Sequence, residues 1–423
     1  MPPRESIFAR GEMPEGRESV SDPKKPSSSQ APIGPLSGYR VIETARFVTG
    51  PYASQLLADL GAEVIKIEDP EGGDPFRGWD ERGGYAPMYQ AFNRSKRSLT
   101  LNLRHTQGRA IVEKLIATAD VFIENFRPGV ADKLGIGYAR LSALNPRLVY
   151  CSITGMGRDG PYAQRPSYDI VGQGLSGFLS LLVDLKDPKP VGPTFSDTLT
   201  GMFAGYGILA ALHARVRTGK GQLVETSLLQ ATMGFMHEPF TTYFGAGRAP
   251  AAEDRPRMSK VFTAVCSDEK PIAIHLSSPQ KFWRAFVTAS GRADMIDDPR
   301  FRTGRDQQKN WHIVHEILRP IFRQKTRAEW FDIMVAAEVP VAPIYKLDEA
   351  LADPQVKHLG MIKKATHPEK GEVSLVGFPV TLSETPLGPI TAPDTLGEHS
   401  DQILGELGYS AEDIARMRAD KLI

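Results

Sequence analysis

The sequence predicts an α/β protein whose larger domain is Rossmann-like, with a mainly parallel sheet. After residue 37, apolar runs of strand length alternate with amphipathic helical segments, which implies right-handed crossovers between parallel strands. Hydrophobic residues make up 41% of the chain and charged residues 24%, as in globular proteins. A length of 423 residues exceeds one ordinary core, so we expect a second, smaller α+β domain.

The individual elements follow from their apolar periodicity. We expect strands over residues 39–45, 63–68, 98–103, 120–124, 148–153, 261–266 and 271–276. Short helices are predicted over 52–60, 108–117 and 411–421. A longer helix with one apolar stripe starts near Thr198, and Gly219 is suited to end it because glycine readily adopts the left-handed conformation. Glycines within this helix, such as Gly201, indicate that a neighbouring element approaches closely.

Composition divides the chain into four parts. Residues 1–37 contain seven prolines and seven serines without apolar periodicity, which is typical of a disordered tail. Residues 38–228 form the predicted large domain. Residues 229–343 form the predicted small domain with its linkers, one of them at 243–256. Residues 344–423 are expected to return to the large domain.

Composition and missing motifs disfavour several functions. Lys and Arg total 51 against 50 Asp and Glu, so charge gives no reason to expect a nucleic-acid partner. Two cysteines cannot build a disulfide framework and favour a reducing compartment. No membrane-spanning or export segment is visible, so we expect a cytoplasmic protein without a membrane partner. No metal-binding motif and no GxGxxG motif is present, and no metal site is predicted.

Two features of the large domain have both a structural and a chemical interpretation. The run from Asn93 to Ser98 contains three cationic residues. It is interpreted either as a solvated basic turn or as an anchor for the phosphates of a ligand. Asp197 precedes the glycine-rich helix. It is interpreted either as an N-cap that accepts hydrogen bonds from helix amides or as an aligned nucleophile. The residue types alone leave both alternatives open.

Ten short segments after residue 37 follow one another in a recognisable order. One is Leu-Ala-Asp-Leu-Gly-Ala-Glu-Val-Ile-Lys-Ile-Glu at 57–68, and another contains Ile-Glu-Asn-Phe-Arg-Pro-Gly at 123–129. The full set is 41–51, 57–68, 92–99, 119–129, 144–147, 160–162, 168–169, 207–212, 218–222 and 396–399. In this combination the chain resembles the class III CoA-transferases, the family of formyl-CoA:oxalate and carnitine CoA-transferases and of the α-methylacyl-CoA racemases.

The resemblance implies a site as well as a fold. Asp197 occupies the place of the family's nucleophilic aspartate. Further residues would contact CoA: Val48, Thr49, Leu101, Asn102, Leu103, Arg104, Asn125, Phe126, Arg127 and Lys133, with Pro166, Ser167, Tyr168 and Asp169 completing the groove. CoA would then be a substrate, and no permanently bound cofactor is expected.

The resemblance also implies a reaction and an assembly. CoA would pass from an acyl-CoA to a small carboxylic acid through an aspartyl anhydride and an aspartyl-CoA thioester. Two chains would form a homodimer and interlock like links. Two departures from the family affect the site: Asp69-Pro70 stands where some transferases carry an arginine, and the glycine-run loop of the formyl-CoA enzyme is absent.

Two other functions compete with acyl-CoA:carboxylate transfer. Racemases of the family place a histidine directly before the aspartate that matches Asp169, whereas this chain has Tyr168. Since a neutral tyrosine is a poor base for a proton next to a thioester, racemisation is the weaker alternative. The third alternative is a catalytically silent CoA-binding protein.

Overall fold

The computed structural model describes residues 34–79, 85–277 and 280–423. Most of the predicted tail, residues 1–33, lies outside the described residues. Residues 34–37, predicted as part of the tail, instead form a turn in which Leu36 is buried and donates its backbone N–H to the Leu60 carbonyl at 2.9 Å. The packed chain therefore begins a few residues earlier than predicted, because the Leu36 side chain joins the apolar core beside Leu57.

A six-stranded parallel sheet in the order β3-β2-β1-β4-β5-β6 forms the centre of the fold. Its strands are β1 (Arg40–Glu43), β2 (Glu63–Glu68), β3 (Arg97–Thr100), β4 (Val121–Glu124), β5 (Val149–Thr154) and β6 (Leu223–Ser227). The chain order reverses between β1 and β4, the position where ligands bind in doubly wound sheets. The predicted parallel α/β sheet is confirmed, with β6 as a strand that was not predicted.

Helices cover both faces of this sheet. They are α1 (Thr49–Asp59), α2 (Pro87–Asn93), α3 (Thr106–Ile116), α4 (Val130–Lys133), α5 (Tyr138–Leu144), α6 (Asp169–Leu175), α7 (Phe195–Thr218) and α8 (Leu228–Phe235). Alternate strand residues point to opposite faces. Ile42 and Phe122 therefore pack with α3, while Val41 and Val121 pack with α1 and α7. Among the described helices, none is both long and apolar enough to cross a bilayer.

Helix α7 is the longest described helix and begins at Phe195, three residues before the predicted start. It ends at Gly219, which has φ +69° as predicted for a left-handed cap. A Cβ at Gly201 would lie 2.8 Å from the Thr49 carbonyl oxygen and 2.9 Å from Tyr52 Cδ1. The close approach predicted from this glycine is confirmed, and it lets α7 lie against the start of α1.

The remaining elements form a second core and a C-terminal part. They are α9 (His237–Ala246), α10 (Asp254–Met258), β7 (Val261–Val265), β8 (Pro271–His275), α11 (Gln280–Ala289), α12 (Gly304–Lys309), α13 (Trp311–Phe322), α14 (Arg327–Ala336), β9 (Val341–Pro343), α15 (Leu347–Ala352), α16 (Pro354–Leu359), β10 (Ile362–His367), β11 (Gly371–Val376), α17 (Ser400–Glu406) and α18 (Ala411–Ala419). Strands β7, β8 and β9 form an antiparallel sheet around Trp283 and Phe286. Helices α17 and α18 share a core with α3 through Ile403 and Met417.

The predicted linker at 243–256 is only partly correct. Helix α9 continues into it as far as Ala246, and α10 begins within it at Asp254. The Gly-, Ala- and Pro-rich composition obscured both short helices, since neither has a buried residue to mark a periodic face. The predicted domain boundaries at 228/229 and 343/344 stay predictions.

Candidate active site

A cavity of about 200 Å³ lies at the carboxyl edge of the parallel sheet, where β1, β4 and β5 end. Loops that follow these strands form much of its wall, as expected for a parallel sheet. Nine of the residues predicted from the resemblance line this cavity: Val48, Thr49, Asn125, Phe126, Arg127, Pro166, Ser167, Tyr168 and Asp197. The structure therefore brings Asp197 together with three separate segments of the predicted CoA groove.

Asn125 joins two of these segments. Its side-chain amide donates to the Arg46 carbonyl at 2.7 Å and to Thr49 Oγ1 at 3.1 Å, and its oxygen accepts the Arg46 N–H at 2.9 Å. In the same turn, directly after Arg46, Phe47 adopts φ +66°, a strained value for a non-glycine residue. The Phe47 N–H donates to the buried Asp74 carboxylate at 3.2 Å. The turn after β1 is thus held from both sides.

Asp197 is not the N-cap of α7, so this interpretation of the sequence is wrong. Thr194 is the N-cap, and Asp197 is the third helical residue because the helix begins earlier than predicted. The Asp197 N–H donates to Asp169 Oδ1 at 3.1 Å, so a neighbouring carboxylate satisfies this helix amide. The Asp197 side chain itself lines the cavity.

The electrostatics of Asp197 differ from those of a surface aspartate. Burial, together with the nearby negative charge of Asp169, raises the pKa of Asp197 to about 7. Both effects disfavour the ionised form in the folded protein. Asp197 is therefore fully ionised only above neutral pH, and its carboxylate is poorly solvated, which suits a nucleophile.

The other predicted residues lie elsewhere on the same edge. Residues 101–104 follow β3, and Lys133 is the last residue of α4 after β4. Leu101 is buried and donates its N–H to the Glu68 carbonyl at 2.7 Å, so its side chain faces the core. Arg104 and Lys133 are exposed. Within the described ranges, no carboxylate lies within 4.0 Å of either cation.

For the basic run from Asn93 to Ser98, neither the solvated turn nor the phosphate anchor is correct. Its three cations pair with carboxylates of the same chain: Arg94 with Asp59 at 2.6 Å, Lys96 with Glu43 at 2.9 Å, and Arg97 with the partly exposed Glu63 at 2.5 Å and Glu406 at 2.7 Å. Arg94 and Lys96 are buried. These cations are neither a solvated turn nor available to ligand phosphates, because acidic residues distant in sequence surround them.

Several residues at the site were not predicted. Phe47 lines the cavity, and its ring meets that of Tyr168 edge-on with the centroids 6.1 Å apart. Arg165 also lines it, with its guanidinium 3.7 Å from the centre of the Tyr162 ring. Arg165 lies between matching segments and could have been proposed from charge, whereas nothing in the sequence indicates the conformation of Phe47.

A larger cavity of about 870 Å³ near the C-terminal part is lined by none of the residues predicted to contact CoA, although Ser95, Lys96 and Arg97 of the basic run lie in its wall. Asp394, Glu398 and His399 cluster in its wall and have metal-ligating side chains. Asp394 accepts the Ser98 N–H at 3.0 Å and lies 2.6 Å from His399 Nδ1. Glu398 accepts the Thr395 N–H at 2.8 Å. The bonds of Asp394 and His399 to the backbone of Ser98 fasten the C-terminal part to β3.

Comparison with known proteins supports the same assignment as the motifs. The profile of CoA-transferase family III matches residues 36–400. A succinate–glutarate CoA-transferase of Agrobacterium fabrum is 36% identical over 88% of this chain and 96% of its own length. An acetyl-CoA:oxalate CoA-transferase of Acetobacter aceti is 36% identical over 83% of this chain and 90% of its own length.

Solved structures agree with the sequence comparison. The crystal structure of a CAIB/BAIF family protein from Brucella suis superposes with a TM-score of 0.80 at 35% identity, covering 89% of this chain and all of that one. The resemblance predicted from the motifs is therefore confirmed. The chain belongs to CoA-transferase family III.

Proposed function

We propose that this protein moves CoA from an acyl-CoA thioester to a free carboxylic acid, with Asp197 as the nucleophile. The observation that supports this proposal is a partly buried carboxylate, with its pKa raised to about 7, in the wall of a cavity at the carboxyl edge of the sheet. The matching family and relatives make CoA transfer the reaction class. The individual steps follow from the reaction of a carboxylate with a thioester.

The proposed reaction has two symmetrical halves. The Asp197 carboxylate attacks the donor thioester and the C–S bond breaks. CoA departs as the thiolate, and a mixed anhydride of Asp197 and the donor acid remains. The thiolate then attacks the Asp197 carbonyl carbon, which releases the donor acid and leaves an aspartyl-CoA thioester. The acceptor carboxylate attacks this thioester, and the expelled thiolate attacks the acceptor carbonyl of the new anhydride. Acyl-CoA forms, and Asp197 is regenerated as a carboxylate.

Three exposed cations on the same edge are proposed to hold the CoA phosphates. Arg127 lines the cavity, and Arg104 and Lys133 follow the neighbouring strands. Arg and Lys are the usual partners of phosphate, and a cation without a carboxylate partner keeps its full charge for a ligand. The remaining predicted residues would contact the other parts of CoA, Leu101 only through its backbone because its side chain lies in the core.

Racemisation remains the weaker alternative at this site. Tyr168 is 65% exposed at the mouth of the cavity, in the position where a racemase of this family would place its histidine. A tyrosine there does not supply the imidazole nitrogen that the racemases use to remove the proton. No observation favours racemisation over transfer.

We expect Asp197→Asn to lower transfer by about a thousandfold or more, since the amide keeps the shape of the side chain but is not a nucleophile. Transfer would be measured by mass spectrometry with acyl-CoA donors and small dicarboxylic acids, the acids named in the relatives. Hydroxylamine added during turnover should modify the wild-type protein at Asp197 alone. The exposed Asp187 provides the control variant Asp187→Asn. Wild-type turnover by the undeamidated Asp197→Asn variant would refute the mechanism.

Arg104→Ala and Lys133→Ala are each expected to weaken CoA binding by about ten- to a hundredfold, the usual effect of losing one charged contact. Calorimetry with CoA and with dephospho-CoA would show which phosphate each residue contacts. Arg217→Ala is the matched control, since Arg217 is exposed in the last turn of α7, about 30 Å from Asp197 along the helix. Unchanged affinity in both test variants would place the nucleotide elsewhere.

We also propose that the active protein is an interlocked homodimer. Large apolar side chains are exposed along consecutive helices: Met202, Phe203 and Tyr206 on α7, Met233 and Phe235 on α8, and Tyr243 and Phe244 on α9. Apolar surface of this extent is uncommon on a monomer. Sedimentation should show a dimer down to nanomolar concentration, and tagged and untagged subunits should not exchange under native conditions. A folded monomer on dilution, or exchange within minutes, would contradict interlocking.

A further inference from the structure

Gln173 is a buried amide close to Asp197 for which the proposed reaction gives no role. It lies in α6, one helical turn after Asp169, and only 1% of it is exposed. Its Nε2 donates to Asp169 Oδ2 at 2.5 Å. Its Oε1 is buried and accepts no hydrogen bond from the described part of the chain. Within the described residues, the Gln173 side chain is therefore hydrogen-bonded only to Asp169.

The Asp169 carboxylate links this amide to Asp197. One Asp169 oxygen accepts from Gln173, and the other accepts the Asp197 N–H at 3.1 Å. The helices that carry these residues are closely packed, since a Cβ on Gly172 would lie 3.0 Å from Ser196 Oγ and 2.9 Å from Leu228 Cβ. The start of α7 is thus held against α6 next to the nucleophile.

We propose that Gln173 is a positioning residue for Asp197, and that it acts by holding the Asp169 carboxylate in the orientation that binds the Asp197 backbone. This inference rests on the proposed role of Asp197 as the nucleophile. Without the amide, the Asp169 carboxylate can rotate about its side-chain bond and release the Asp197 N–H. The Asp197 N–H then loses its hydrogen bond to Asp169. The Asp197 carboxylate is no longer held in the orientation from which it attacks the thioester.

The chemistry of this position favours an amide over the other polar side chains. Glutamine donates a hydrogen bond to Asp169 without adding charge, whereas glutamate would place a third negative charge beside Asp169 and Asp197. Lysine or arginine would neutralise Asp169 and alter the field at Asp197. The orientation of the amide is set by its partner, since the reversed amide would place one oxygen against another.

The test compares Gln173→Met with the matched control Gln307→Met, at a glutamine that is also fully buried but lies in α12 beside Lys260. Methionine has a similar length and cannot donate to Asp169. We expect kcat of Gln173→Met to fall by about ten- to a hundredfold, the usual effect of losing a hydrogen bond to a charged group. The KM for acyl-CoA and the Kd for CoA should stay within about twofold, because the cationic groove is intact. The control should keep its kcat.

Two further variants distinguish positioning from general damage. In an Asp169→Asn background, Gln173→Met should cause little further loss of kcat, because Gln173 acts only through Asp169. If Gln173→Met does not fold, Gln173→Glu keeps the shape of the side chain and should lose at least as much kcat. Wild-type kcat in either Gln173 variant, or an equal loss with and without Asp169, would overturn the inference. Turnover by Asp197→Asn would instead refute the proposed nucleophile, so the two failures are distinguishable.

Discussion

The ion pairs of Glu43, at the end of β1, hold together the elements from which the site is built. The Glu43 carboxylate is completely buried and accepts from Lys66 at 3.2 Å, Lys96 at 2.9 Å and Ser54 at 2.7 Å. Burial opposes its ionisation, but the two lysines outweigh that effect and lower the pKa of Glu43. Removing one partner of such a network leaves a buried charge without compensation, at a cost of about 3–5 kcal/mol. The network therefore ties β1, β2, α1 and the segment before β3 into one unit.

The turn after β1, which lines the candidate active site, depends on this unit. Lys66 also donates to the Ala45 carbonyl at 2.9 Å and pairs with Asp74 at 3.0 Å. Asp74 in turn accepts the N–H of Phe47. These bonds stabilise the left-handed conformation of Phe47. They thereby place Thr49 in contact with Asn125 and beside Gly201. The glycine-rich helix approaches this turn at Gly201, where no Cβ obstructs the contact with Thr49, and Asp197 lies one turn of α7 before Gly201.

The sequence predicted those parts of the molecule whose signals are local. Strand β2 was predicted with its observed bounds, Glu63–Glu68. The site residues were expected from the family resemblance, and nine of them line one cavity because the ends of parallel strands meet at one edge. Their contacts with CoA stay a prediction. Pairing between distant residues could not be predicted. Arg94 and Lys96 have carboxylate partners 35 and 53 positions earlier in the chain, so neither a solvated turn nor a phosphate anchor describes them, and no local signal indicates this pairing. The contact between Asp169 and Asp197, 28 positions apart, was hidden for the same reason.

If Asp197 is the nucleophile, an oxygen atom of the acceptor acid must be transferred to the Asp197 carboxylate, and an isotope label reveals that transfer. In one turnover with an acceptor whose carboxylate carries oxygen-18, the acceptor oxygen bridges the second anhydride and stays on Asp197 when the thiolate attacks the acceptor carbonyl. Digestion and mass spectrometry should then find the peptide that contains Asp197 heavier by about 2 Da, with the donor acid unlabelled. A donor acid that carries the heavy oxygen, with the Asp197 peptide unlabelled, would mean that the two acids react directly and would contradict the account.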